Sequence, residues 1–314
     1  MFRADLHVHS YYSGTARHLR ILRSRDSYSS PLAVYQRAKK RGMDLVTITD
    51  HDSIDGCLEV LERRPAQDFI IGEEITTYVP EFQHHIHVGV YDISESQHRD
   101  AQKLRGNVHE LVGYLRSQGL LFALNHFFHN FDQAERLQHY MELMAGLFDV
   151  FEEQNGAMQR VHNMFVSQLL RHMERQGKRL SRIGGSDSHT LRRIGRTYTV
   201  AEEACTTEEF LAAIREGRSR VAGWHCNEWQ LAGDIYGVVL RYYPYIVNLN
   251  SGEFSLLKRL RNLGISAGLL PFMAIPYLAA VRHSRSEDQR VRRLAERFFR
   301  ELVRFPKRRS RQPI

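Results

Sequence analysis

The stretch "SSPLAVYQRAKKRGMDLVTITDHD", residues 29–52, changes periodicity partway along. Its first part opens on serine, places Pro31 in the first turn and closes on basic residues and Gly42, the start and stop signals of a helix. "DLVTI", 44–48, then reads as a short apolar strand rich in β-branched residues. One residue beyond it come Asp50, His51 and Asp52, which bind protons or cations and gain nothing from packing. The fold class depends on whether the rest of the chain repeats this helix, strand and polar cluster.

It does repeat. Further candidate strands are 68–72, 85–91, 119–124, 147–152 and 182–185, with helical patterns near 99–118, 133–144, 157–176 and 206–216. Alternation of helices with continuous apolar strands predicts an α/β fold with a mainly parallel sheet or barrel. His7 and His9 end the first strand; Glu73 and Glu74 follow 68–72, and His126 follows 119–124. Glu153 and Asn155 follow 147–152, and Asp187 and His189 stand just past "RIGG", where Gly184 and Gly185 let the backbone turn close to a site. In a β/α barrel these loops leave one face, so the residues converge there.

One histidine after a strand is more often a hydrogen-bonded surface residue than a ligand. Six polar strand ends together reverse that balance. Imidazoles and carboxylates without cysteine suit Zn, Mn or Fe, and ions bridged by a carboxylate suit hydrolysis. Cys57, Cys205 and Cys226 lack a C-x-x-C spacing and read as incidental.

The chain has 314 residues, 42% apolar and 25% charged, enough for one large core with an appendage. Three cysteines cannot form a disulfide framework, and "MFRADLHVHS" has no apolar signal core, so a cytoplasmic protein is expected. The most apolar stretch, 264–281, is interrupted by Pro271 and Pro276, so no transmembrane segment is expected. It reads as buried or partner-facing surface, a possible homodimer contact, with interfacial membrane contact a weaker alternative. The formal charge of +8 favours acidic partners. After about residue 224 the chain turns aromatic-rich, and beyond 286 it becomes a charged amphipathic helix. We therefore expect a catalytic unit over 1–222 and a helical extension, basic at its end, over 223–314.

The motifs "DLHVHS", "TITDHD", "GEE", "HIHVGVY", "NHF" and "GGSDSH" resemble, in order and spacing, those of the PHP (polymerase and histidinol phosphatase) superfamily. The resemblance runs from residue 5 to about 222. It implies a distorted TIM-like (β/α)7 barrel with two or three divalent metal ions (Mn, Zn or Fe) that hydrolyse phosphate esters. It further implies that His7, His9, Glu73 and Asp187 hold one ion, that Glu73 bridges to a second held by His87 and His126, and that His51 and His189 face a third. The family commonly has an aspartate where this chain has Gly14, so His18 or Asp26 becomes the candidate third-metal ligand. Asp5, Asp50, Asp52 and Glu74 are expected as supporting groups around the ligands, the aspartates as acceptors for the outer ring nitrogens.

The implied mechanism is attack by metal-activated water, with His189 or His51 as general acid if no third ion binds. Arg17, Arg20, Arg192 and Arg193 flank the rim as candidate phosphate contacts. The expected substrate is a small phosphomonoester, a nucleotide or a short oligonucleotide. An exonuclease acting on single strands is the enzymatic alternative, and a non-catalytic, metal-stabilised interaction or membrane-surface module the other.

Overall fold

The structure, a computed structural model, describes residues 1–15, 25–65, 67–247, 255–269 and 274–304. In chain order the first elements are β1 (Phe2–Asp5), α1 (Pro31–Lys40), β2 (Leu45–Val46), α2 (Asp55–Arg63), β3 (Gly72–Val79) and β4 (His84–Tyr91). Then come α3 (Glu95–Leu104), α4 (Val108–Ser117), β5 (Leu121–Leu124), α5 (Leu137–Leu147), β6 (Val150–Asn155), α6 (Arg160–Arg175) and β7 (Ser181–Gly185). The chain continues through β8 (Thr197–Ala201), α7 (Thr207–Arg215), β9 (Ser219–Gly223), α8 (Glu228–Val247), α9 (Leu256–Leu269) and α10 (Ala274–Arg304).

Local chemistry sets these bounds. The Ser30 hydroxyl accepts from the Ala33 N–H and Pro31 opens α1, which stops before Gly42 at φ 80°. The single helix expected over 99–118 is two, because the Asn107 side chain accepts from the His109 N–H and starts a new one. The strand expected at 68–72 is reduced to an isolated parallel bridge between Val46 and Phe69, and regular pairing begins at Gly72.

The strands form two sheets rather than one closed, mainly parallel barrel: a four-stranded sheet in the order β2-β1-β8-β9 and a five-stranded sheet in the order β3-β4-β5-β6-β7. Both mix parallel and antiparallel pairs. The departure from parallel pairing has a local cause. Between β3 and β4 there is no crossover helix, only a 3-10 turn opened by Pro80 and a left-handed Gln83 (φ 49°), so the two strands form a hairpin. Isolated parallel bridges Val8–Ser188, Val46–Phe69 and His51–Glu74 join the sheets, and two of them involve or adjoin the polar strand ends noted above.

The main core combines Ile75, Val88 and Val90 of the hairpin with Leu111, Phe151 and Phe165. Val291, Leu294 and Phe298 of α10 belong to this same core, Phe298 meeting Phe165 edge-on at 5.8 Å. Burying a side chain of this size contributes about 1.5–3 kcal/mol, so the late helix is part of the fold's stability.

Candidate metal centre

Register in the β3–β4 hairpin decides which glutamate reaches the centre. Glu74 pairs with Gly89 and Thr76 with His87, so these residues share one face. Glu73 pairs with Val90 and lies on the face of Ile75 and Val88, against the core. The expected bridging role of Glu73 is therefore corrected. Its carboxylate accepts from His98 Nδ1 (2.9 Å) and Gln102 Nε2 (2.9 Å) on α3, while Glu74, expected only in support, sits among the imidazoles. One Glu74 oxygen lies 3.2 Å from His7 Nε2, 3.3 Å from His87 Nδ1 and 3.1 Å from His126 Nε2; the other lies 3.0 Å from His51 Nδ1 and 3.6 Å from His9 Nε2.

Asp187 forms the second pole. Its Oδ1 lies 3.3 Å from His9 Nε2, 3.6 Å from His7 Nε2 and 3.7 Å from His189 Nδ1. Four triads of ligand atoms each fall within 4.8 Å: His7–Glu74–His126, His7–His9–Asp187, His51–Glu74–His87 and His9–His51–His189. Asp187 (φ 49°) and His126 (φ 27°) hold left-handed backbone that L-residues adopt at a cost of roughly 1–3 kcal/mol each. Two short bonds hold them there: Asp187 N–H donates to the His7 carbonyl (2.7 Å), and His126 N–H to Glu152 Oε2 (2.8 Å). Gly185 serves close approach here, since a Cβ on it would stand 2.3 Å from that of His7.

Neighbours fix the ring tautomers. Glu152, which the sequence reading did not single out, is buried and accepts from His7 Nδ1 at 2.9 Å, leaving Nε2 toward the centre. Ser13 Oγ donates to Asp50 (2.7 Å) and so accepts from His9 Nδ1 (2.9 Å), which turns His9 Nε2 inward. Asp50 thus acts on a histidine through Ser13. Asp5 and Asp52 do not meet the imidazoles: Asp5 accepts the backbone N–H groups of Ser186 and Gly195, and Asp52 that of Thr76 together with Arg105. Asn155, buried, bridges Glu152 and Asp187 at 2.9 and 3.0 Å, while Glu153 turns away to Arg182.

Asp26 follows a Thr15–Arg25 bridge, and its own N–H donates to the Gly14 carbonyl (3.0 Å). Its Oδ2 lies 2.8 Å from His189 Nε2 and 3.6 Å from His51 Nε2. Gly14 itself adopts φ 80°, ψ −145°, a conformation open to glycine and strained for aspartate. His18, Arg17 and Arg20 lie outside the described residues. Arg193 is not a free phosphate contact: it is buried and bonded to Asp234 (2.9 Å), Cys226 Sγ (3.0 Å) and the Gly156 carbonyl. Arg192 is exposed, 3.5 Å from the Gly233 carbonyl.

Burial opposes charge throughout this cluster, and at Glu74, Asp187, His7 and His189 the neighbours overrule it. Burial alone would raise Glu74 and Asp187, yet the surrounding imidazoles hold both carboxyls well below their usual range. Burial alone would lower His7, but Glu74, Asp187 and Glu152 hold it well above. His9 is driven down to about 3 by burial and by His189, so its ring is neutral. His189, against its burial, is pushed up to about 10 by Asp26.

The donor set fits divalent cations. Among the described residues, the inward atoms His7 Nε2, His9 Nε2, His51 Nδ1, His87 Nδ1 and Glu74 Oε2 are buried with no well-aligned hydrogen bond, although His51 Nδ1 and Glu74 Oε2 lie 3.0 Å apart. Five such atoms facing one small volume would each be costly unless a cation met them.

A family model described as PHP-associated matches residues 176–219, which include Asp187 and His189. An uncharacterized protein of Methanocaldococcus jannaschii is 40% identical over 77 residues, 24% of this chain and 44% of its own length, so the chain spans less than half of that relative. Among solved structures, a two-domain protein from Bacteroides vulgatus containing a predicted PHP-like metal-dependent phosphoesterase is similar at 17% identity and a TM-score of 0.48, over 75% of this chain and 69% of that one. An amidohydrolase from Chromobacterium violaceum, with bound sulfate and no metal, is similar at 16% identity and a TM-score of 0.49, over 69% of this chain and 97% of that one.

Proposed function

We propose that this chain, a member of the PHP superfamily, is a metal-dependent phosphoesterase acting on a small phosphomonoester, a nucleotide or a short oligonucleotide. The observation that carries the reading is the pair of buried carboxylates, Glu74 and Asp187, set among six imidazoles whose inward nitrogens include four without a well-aligned hydrogen bond. Two ions would be held by His7, His9, Glu74, His87, His126 and Asp187, and a third by His9, His51 and His189 with the neighbouring Asp26; Mn, Zn and Fe all suit these donors. When bound, such ions lower the pKa of water and neutralise charge developing on a phosphoryl group. The protein's own part is orientation. Glu152 and Ser13 hold the His7 and His9 tautomers, and Asn155 keeps Asp187 in register with Glu152. Should the third ion be missing, the His189 imidazolium beside Asp26 is the group placed to give a proton to the leaving oxygen.

We read the two sheets, nine strands in all, as the two parts of a distorted barrel that meet at the site through the isolated bridges, with 1–222 as catalytic unit and 223–314 as extension. The test is metal analysis of purified protein, followed by hydrolysis of a chromogenic phosphomonoester and a phosphodiester after loading with Mn, Zn or Fe. Bound metal with turnover of the monoester supports the reading. Bound metal with neither ester hydrolysed under any of the three loadings sinks it, and turnover of the diester alone redirects it to the exonuclease alternative.

A further inference from the structure

Helix α9, "LLKRLRNLGISAGL", has its polarity turned inside out for a water-facing helix. Arg259 and Asn262, three residues apart, are buried at 4% and 1% exposure, while Leu256, Leu257 and Leu260 stand 67%, 78% and 59% exposed. At 3.6 residues per turn these leucines share one side with Gly264, where a Cβ would meet nothing within 4 Å. A helix in water buries leucine and exposes arginine; three neighbouring leucines facing out mark a surface that something covers.

Charge chooses the occupant. The helix carries Lys258, Arg259 and Arg261 and no acidic residue; Arg261 is exposed beside Leu257, its guanidinium also donating to Asn262 Oδ1, and Lys258 is exposed further round the helix. A second copy of the chain meeting this face through a two-fold axis would set the same basic patch against itself. Anionic lipid headgroups complement it, and acyl chains accept the leucines. No helix among the described residues is long and apolar enough to cross a membrane, so the helix would lie along the surface. We propose that α9 docks this protein on an anionic bilayer, with Leu256, Leu257 and Leu260 in the acyl boundary and Lys258 and Arg261 at the headgroups. This stands on α9 alone and holds whether or not the metal centre hydrolyses phosphate esters.

The experiment is flotation of the full chain with phosphatidylcholine vesicles, with and without about one third phosphatidylglycerol. Wild type should float with the anionic vesicles, stay down with neutral ones and be released by added salt. The double variant Leu257→Glu with Leu260→Glu should stay down in both, with unchanged circular dichroism and metal content. Should it misfold, Leu257→Ser with Leu260→Ser replaces it, with the same loss expected. Lys258→Glu should weaken binding by about fivefold or more, the worth of one basic residue near such a surface. Wild type that fails to float, or floats equally on neutral vesicles, overturns the proposal. So does a concentration-dependent dimer, seen by sedimentation, that the leucine variants dissolve.

Discussion

Replacing Glu74 by glutamine removes a fully buried charge whose two oxygens lie 3.0–3.3 Å from four different imidazoles. Two of the four ligand triads contain this carboxylate, His7–Glu74–His126 and His51–Glu74–His87, and each falls from three donor atoms to two strong ones. Groups that merely support a ligand are worth about 10–100-fold in metal affinity, so weakening two triads together should cost on the order of 10²–10⁴-fold. The sites that do not use Glu74 keep their donors. The matched variant is Glu73→Gln, one residue away in sequence and on the opposite face. It disturbs only the contacts to His98 and Gln102 and should cost about 1–3 kcal/mol or less of stability, since an amide can still accept. Metal per chain by elemental analysis, calorimetric affinity and monoester turnover should all fall for Glu74→Gln and hold for Glu73→Gln. The reverse ranking would refute the register argument, because it would require β3 to present its other face to the histidines.

Asp26→Asn should lower the metal stoichiometry by one ion while leaving in place the ions that Glu74 would help to hold; unchanged stoichiometry with much reduced turnover would instead assign the His189–Asp26 pair to proton donation. Metal affinity should rise with pH, because His7 and His189 are held above the usual imidazole range and must lose protons to become ligands. Calorimetry in buffers of different ionisation enthalpy should show proton release on binding, and a buffer-independent heat would contradict it. In metal-free protein the raised His189 makes the complementary prediction. The stability it contributes is fully present below its ordinary value of 6.5 and is lost as pH rises through about 10, which denaturant midpoints across that window would follow. Phe298→Ala should destabilise the fold by about 3–5 kcal/mol in one cooperative transition; a separate early transition would show that α10 is not part of the main core.

Much of the centre is legible in the sequence because strand ends are constrained positions. His7, His9, His51, His126, Asp187 and His189 follow or terminate apolar stretches, and the structure brings all six together. What escapes is parity. "EE" occurs at 73–74 and again at 152–153, and neighbouring residues on a strand face opposite ways, so one residue of phase changes the answer. The information was present in the hairpin: Ile75 and Val88 are core-forming, so the site face belongs to Thr76, His87 and therefore Glu74. The hairpin itself is hidden in "TTYVPEF", where the strand runs into a turn opened by Pro80 with no glycine to mark it. Arg193 illustrates a different limit, since its partners Gly156, Cys226 and Asp234 are distant in sequence and only the folded chain shows that its guanidinium is already bonded.

Under the proposed assignment, the carboxylate absent at Gly14 is supplied by Asp26. At position 14 the backbone has φ 80° and ψ −145°, where aspartate would be strained, and the twelfth residue further on carries the carboxylate instead. The bond from Asp26 N–H to the Gly14 carbonyl ties the two positions together beside His189. The same logic holds at Asp187 and His126. Their left-handed backbones cost free energy, and each is held by an N–H bond to another part of the centre, the His7 carbonyl and the Glu152 carboxylate respectively. Disturbing any one of these groups should therefore be felt at ligands on other strands, which is why coupled losses, rather than single ones, are expected when the carboxylates at the centre are replaced.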